Sequence, residues 1–292
     1  MTITLDWLGC ATYRLTVDGL VIFLDTFMDR PAGAPDVGLT SAEVDRADFA
    51  LIGHSHWDHL LGADVIAKRT GAVVIGSHES ARVLRERGVP EAQLWRAQGG
   101  EHFRLSPDVS VRVYPSMHSC IWSRAAAPGV VLTGDYGVTE DEREARLTRR
   151  RGRRAEEAPA AADPGARSDS TGGPLDFLIE TPQGSIFFQD SMGYWTGIYA
   201  AIRADIALLA AAGRGNIDGE PIQGSVEQFI LRECELLRPK QVILGHHDNF
   251  SGTPGAPDLT DLTPVHDELA RVLPRVQVTT MPLGGRVTLF GQ

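Results

Sequence analysis

His54-Ser55-His56-Trp57-Asp58-His59 puts three imidazoles and one carboxylate into six consecutive residues. The run before it, Asp48-Phe49-Ala50-Leu51-Ile52-Gly53, is apolar and short enough to be a buried strand, and the run after it, Leu60-Leu61-Gly62-Ala63-Asp64-Val65-Ile66, reads as a helix. The histidine-rich segment therefore sits on a strand-to-helix loop. Imidazole suits zinc and other borderline metals, carboxylate suits harder ones, and a zinc ion that keeps a water needs only three protein ligands. Four donors on one loop oversupply a single ion. On a tight turn His54 and His56 can face one way and Asp58 and His59 another, so the spacing suggests two adjacent ions. The plainer reading of the same residues is a set of surface histidines with Asp58 capping the helix start.

Working outward, β-like stretches at 2–7, 12–17 and 20–24 open the chain, with Asp18-Gly19 as a hairpin turn between the last two. Further strands are predicted at 48–53, 72–76, 109–114, 175–180, 184–189, 205–209, 240–245, 276–281 and 285–290. Helices are predicted at about 59–69, 79–87, 196–203, 225–237 and 263–273. Strands interleaved with helices on this scale fit two sheets held between helical layers. A chain of 292 residues with 42% hydrophobic content can bury a substantial core, and one α/β domain over 1–292 suffices. Residues 139–173 break the pattern. They are rich in Arg, Ala, Pro, Gly and Glu and have no aromatic residue, a composition that buries too little apolar area to offset ordering entropy. They are expected to be a charged, mobile insertion, with a charged helix over Thr139–Glu157. Arg149-Arg150-Arg151-Gly152-Arg153-Arg154 could form an RNA-binding arm or a phosphate-sensing lid, but interleaved acids and missing aromatics favour a solvated loop.

The formal net charge of −10 argues against a nucleic-acid surface, which needs clustered Lys and Arg, and leaves a small anionic substrate open. No run approaches the roughly 20 apolar residues of a membrane span, and Met1 leads straight into a strand pattern, so a soluble, cytoplasmic protein is expected. An oligomer is compatible with all of this. The three cysteines, Cys10, Cys120 and Cys234, are too scattered for a disulfide framework. Cys10 and Cys234 are read as plain reduced thiols. Cys120 lies two residues from His118 and could line a pocket there.

The pattern H-x-H-x-D-H at 54–59 resembles the signature of the metallo-β-lactamase-fold superfamily. Ile3-Thr4-Leu5-Asp6-Trp7-Leu8-Gly9-Cys10-Ala11-Thr12-Tyr13 resembles the first hairpin of the branch that includes L-ascorbate 6-phosphate lactonases and N-acylphosphatidylethanolamine phospholipase D, and Leu24-Asp25-Thr26 resembles the strand end that follows. The resemblance covers nearly the whole chain apart from the insertion. It implies a four-layer αβ/βα sandwich and two divalent ions, zinc with manganese or iron as alternatives. His118, just beyond the strand 109–114, matches the third histidine of the first ion. For the bridging carboxylate two residues compete. Asp135 follows a glycine as the family's aspartate usually does, whereas Asp190 has Gln189 there but follows the hairpin Phe177–Ser185 and precedes Met192-Gly193-Tyr194, as in the family. Asp190 is preferred. In Val242-Ile243-Leu244-Gly245-His246-His247-Asp248-Asn249-Phe250 the family's strand-end ligand falls on His246, with His247 as the alternative.

On this reading His54, His56 and His118 hold one ion, Asp58, His59 and His246 hold the other, and Asp190 bridges them. A bridging hydroxide would be the nucleophile, and Asp58, Asp190 and His246 would carry the catalytic centre. The expected reaction is hydrolysis of a small, polar or anionic ester or lactone. Phosphodiester hydrolysis by the same two-metal site is the alternative, and a metal-stabilised binding protein without turnover is a third. Trp57, Trp122, Tyr194, Trp195, His247, Asn249 and Phe250 flank the expected ligands and are candidates for the substrate pocket. His78, His102 and His266 have no partner cluster and are read as surface or hydrogen-bonded histidines.

Overall fold

The computed structural model describes residues 2–119, 170–212, 215–221 and 225–290. Two seven-stranded sheets dominate. In chain order of neighbours, the first runs Arg286–Leu289, Ile3–Trp7, Tyr13–Val17, Leu20–Leu24, Phe49–Leu51, Val73–Gly76 and Leu94–Arg96. The second runs Gln277–Thr279, Gln241–Gly245, Ile206–Ala210, Gly184–Phe188, Leu175–Thr181, Ser110–Pro115 and His102–Arg104. A small third sheet joins Gly193–Tyr194, Asn216–Ile217 and Glu220–Pro221.

Period-two alternation sorts the side chains of the central strands between two cores. From Leu20–Leu24, Ile22 and Leu24 point to the second sheet, where they meet a cluster that includes Phe177, Ile179, Phe188 and Ile243. Val21 and Phe23 point the other way, against Ile66 and Leu84 of the helices Ala63–Thr70 and His78–Glu86. On the far side, Phe187, Leu209 and Val242 of the second sheet meet Phe229 and Leu269 of the helices Val226–Leu237 and Thr263–Val272. Helix, sheet, sheet, helix is the four-layer αβ/βα sandwich expected from the sequence. Strands that carry such near-continuous apolar runs are those buried on both faces.

The elements correct the sequence reading in three places. The helix expected over 59–69 is two helices, Trp57–Leu60 and Ala63–Thr70, because Gly62 turns through a left-handed φ of 95° and a Cβ there would crowd the Thr26 carbonyl oxygen. The helix expected over 196–203 is the short Thr196–Tyr199. The edge strands Leu94–Arg96 and His102–Arg104 have no alternating pattern long enough to show in sequence. The charged helix expected over 139–157, the arginine run 149–154 and the rest of the insertion up to residue 169 lie outside the described residues. Its last residues are packed, with Ser55 N–H donating to the Thr171 carbonyl at 3.1 Å and Ser55 Oγ–H to the Ser170 carbonyl at 2.7 Å.

Candidate metal centre

Every donor on the histidine-rich loop is aimed by the strand that delivers it and the short helix that receives it. Phe49–Leu51 pairs in parallel with Leu20–Leu24, so the next residues leave the sheet beside the strand end Asp25-Thr26. Asp25 Oδ1 accepts from Gly53 N–H at 3.0 Å, and Thr26 N–H donates to the His59 carbonyl at 2.9 Å, satisfying an orphan carbonyl of the helix Trp57–Leu60. Gly53 is needed for packing, since a Cβ there would collide with the Asp190 carboxylate.

Three groups of donors converge. His54, His56 and His118 form the first, their ring centroids 4.7 to 4.8 Å apart. His118 Nδ1 donates to the Ser119 carbonyl at 2.7 Å, which leaves Nε2 as its ligand-ready nitrogen. Asp58, His59, His246 and Cys10 form the second. His59 and His246 bring their Nε2 atoms to 3.3 Å, and Asp58 Oδ2 lies 3.6 Å from the first and 3.8 Å from the second. His54, His59 and Asp190 form a third group that joins the other two. Asp190 Oδ2 is 2.6 Å from His54 Nδ1 and 3.4 Å from His59 Nδ1.

Whether these residues fit a metal is decided by their free lone pairs. His54 is fully buried with Nδ1 on Asp190, and its Nε2 has no hydrogen-bond partner, a bare acceptor in the protein interior. His59 spends Nδ1–H on Asp25 Oδ2 at 2.7 Å and turns Nε2 toward His246. A carboxylate behind an imidazole that presents its other nitrogen is the usual outer support of a metal-ligating histidine. Buried polar groups are ordinarily satisfied, so the donor set fits divalent ions.

The electrostatics agree. Burial pushes His54 and His118 down to about 3 and His59 well below the ordinary imidazole range, so these rings stay neutral and able to ligate. Burial likewise raises the carboxyls of Asp190 and Asp25, and Asp25 is raised further by its neighbour Asp190. Such carboxyls ionise readily only with cationic charge beside them. Burial, and next the Asp58 carboxylate, push the Cys10 thiol well up.

The structure thus gathers His54, His56, Asp58, His59, His118, Asp190 and His246 at one place. His246 lies in the second donor group, whereas His247 stacks its ring on Trp7 at 4.7 Å between centroids, away from the donors. Trp57 keeps a place in the pocket wall, packed edge-on against Phe27 at 5.1 Å and beside Phe250 at 6.0 Å; Phe250 in turn contacts the His246 ring at 4.8 Å. Two further expected pocket residues are placed differently. Tyr194 is fully buried, stacked on Tyr199 at 4.7 Å and next to Phe229 in the outer core of the second sheet. Asn249 uses its side chain within its own loop, Nδ2 donating to the Thr253 carbonyl at 3.1 Å and Oδ1 accepting from Thr253 N–H at 2.8 Å. Trp195 is 40% exposed at the start of the helix Thr196–Tyr199. Trp122, Cys120 and Asp135 lie outside the described residues. His78 is exposed, His102 pairs with Glu180 at 3.4 Å and His266 contacts Thr280 Oγ1 at 3.2 Å, all apart from the donor groups.

Two members of the site were missed in the sequence. Asp25 carried a signal, a lone acid closing the apolar strand Leu20–Leu24, but its partner His59 is 34 residues away. Cys10 was read as a plain thiol because nothing nearby in sequence marks it. Its Sγ stands 3.4 Å from His246 Nε2, across 236 residues.

The two facing sheets with helices outside, and a histidine- and aspartate-rich site at their strand ends, have the metallo-β-lactamase fold. A family model described as a beta-lactamase superfamily domain matches residues 21–149. A UPF0173 metal-dependent hydrolase of Pyrobaculum islandicum is 25% identical over 248 residues, 84% of this chain and 84% of that protein. Another, from Pyrobaculum neutrophilum, is 30% identical over 132 residues, 45% of this chain; the match spans only 57% of that relative. Among solved structures, Igni18, a metallo hydrolase of Ignicoccus hospitalis, superposes with a TM-score of 0.64 at 18% identity over all of both chains.

Proposed function

We propose that the protein is a dinuclear metal-dependent hydrolase acting on a small polar or anionic ester or lactone. The observation that carries this is the three-way convergence of donors, in which His54, His59 and Asp190 link a three-histidine group to one containing Asp58 and His246. The metal-dependent hydrolases among its relatives support the reaction class. His54, His56 and His118 would hold one ion, Asp58, His59 and His246 the other, and Asp190 would bridge them. When bound, two such ions would supply an activated water at near-neutral pH and polarise the bond to be cleaved.

The chain's own residues do the rest. Asp25 holds His59 in the tautomer that presents Nε2. The Ser119 carbonyl does the same for His118. Phe27, Trp57 and Phe250 make an apolar wall beside His246 that excludes water and packs the non-reacting part of a substrate.

The test is proton release in a weakly buffered indicator assay, with zinc- or manganese-loaded protein against lactones, carboxylic esters, phosphodiesters and β-lactams. Turnover of lactones or esters that Asp190→Ala abolishes is the expected result. Turnover confined to phosphodiesters would transfer the same site to that chemistry, and turnover unaffected by Asp190→Ala would overturn the bridging role.

A further inference from the structure

We infer that Cys10 is a further protein ligand of the second ion, beside Asp58, His59, His246 and the bridging Asp190, and binds it as a thiolate. This rests on the metal-centre reading above and adds a donor to it. Sγ of Cys10 is 3.4 Å from His246 Nε2, which is 3.3 Å from His59 Nε2, and Asp58 Oδ2 lies 3.6 and 3.8 Å from the two nitrogens. Zinc–nitrogen or zinc–oxygen bonds of about 2.0–2.2 Å and zinc–sulfur bonds of about 2.3 Å, set at tetrahedral angles, put neighbouring ligand atoms roughly 3.3–3.6 Å apart. These four distances, 3.3 to 3.8 Å, are close to that spacing.

The alternative is a buried thiol that only donates weakly to the Asp58 carbonyl, 3.3 Å away. Two observations count against it. The neighbouring His54 Nε2, wholly buried and without a hydrogen-bond partner, marks these converging donors as arranged around a ligand. The Cys10 backbone is also pinned from three sides, by Asp248 Oδ1 accepting from its N–H at 2.8 Å and by its carbonyl accepting from His246 N–H at 2.7 Å and Trp7 Nε1–H at 3.0 Å. That clamp ties the sulfur to the strand end carrying His246, with Asp248 itself held by a buried pair with Arg30.

On binding, the S–H bond breaks, the proton leaves to water and an S–metal bond forms, with no change of oxidation state. A thiolate makes this position soft and favours zinc, cobalt or cadmium over manganese and magnesium. It also changes the charge at the site. Two divalent ions facing Asp58, Asp190, a hydroxide and the thiolate are neutral, so a neutral ester carbonyl is as welcome as an anion.

The test uses cobalt(II) in the full-length protein, read by absorption together with metal content. The expected result is two cobalt ions per chain and a sulfur-to-cobalt charge-transfer band. The band should be lost in Cys10→Ser and retained in Cys120→Ser and Cys234→Ser. Circular dichroism confirms that Cys10→Ser is folded, and Cys10→Ala repeats the test should the serine disturb packing. Zinc affinity of the second site should fall by at least the roughly 10–100-fold typical of losing a mere outer support. Two bound cobalt ions without the band, or a band that survives in Cys10→Ser, would overturn the thiolate ligand alone. Failure to bind cobalt at all would instead overturn the metal centre on which it rests.

Discussion

Gly53 shows how little separates a ligand from a core residue. It keeps the space that the Asp190 carboxylate fills, and any Cβ there would displace that carboxylate from between His54 and His59. Gly53→Ala is expected to leave a folded protein that retains the three-histidine group but loses about 100-fold in turnover, the scale of an ångström-sized misplacement at a reacting centre. Metal content and steady-state kinetics on the same sample check this. Asp25 acts one step further out. Asp25→Asn keeps the size of the side chain but weakens the anchor of His59 Nδ1, and should cost roughly 10–100-fold in metal affinity, read by competition with a chromophoric chelator. At this scale the sequence was informative where donors are contiguous and silent where they are not. The four candidate donors of the loop 54–59 were legible because one strand-to-helix turn carries them all. Asp25 and Cys10 were not, because only folding brings them to His59 and His246. Tyr194 was misread for the opposite reason, since a residue four positions from Asp190 need not share its face, and here the small sheet turns it into the outer core.

Among the elements, the hairpin Ile3–Val17 and the C-terminal strand Arg286–Leu289 close the first sheet through an ion-pair network. Asp6, only 4% exposed, accepts from Arg14 Nε at 2.9 Å and from Arg286 Nε at 2.6 Å. Burial by itself would raise this carboxyl, but the hydrogen bonds from Arg286 and Arg14 prevail and hold it below its ordinary value. A carboxyl so depressed contributes stability that is complete above the unfolded-state value of about 3.9 and is lost as pH falls through the lower folded value. The melting-temperature gap between wild type and Asp6→Asn should therefore be constant from pH 5 to 7 by our estimate from that reference value, and shrink on acidification below about pH 4. A gap that widens toward acid would reverse the sign of the coupling. The central strands were legible as short, near-continuous apolar runs because they are buried on both faces. The break at Gly62 was not legible, because the Thr26 carbonyl that forbids a side chain there comes from another part of the chain.

Across the whole molecule, the two sheets press their inner faces into one shared core, and the loops carrying the candidate donors leave from the strand ends. Phe188, fully buried in that core and two residues from Asp190, should cost about 3–5 kcal/mol when changed to Ala. Chemical denaturation measures that loss, and the metal-loaded protein should show it as fully as the metal-free one if core and site are separable. The four-layer architecture was legible from the order of strands and helices alone. What the insertion at 139–173 does was not, since a composition with no aromatic and almost no large aliphatic residue specifies no packing partner.

Two ions, bound by this convergence of donors, would make the protein a hydrolase. The most direct test is to strip the metal, titrate zinc back and follow lactone or ester turnover against ions bound per chain. No turnover is expected without metal, followed by a rise that reaches its plateau at two ions per chain, with Asp190→Ala flat throughout. Full turnover in the stripped protein, or a plateau at a single ion, would contradict it.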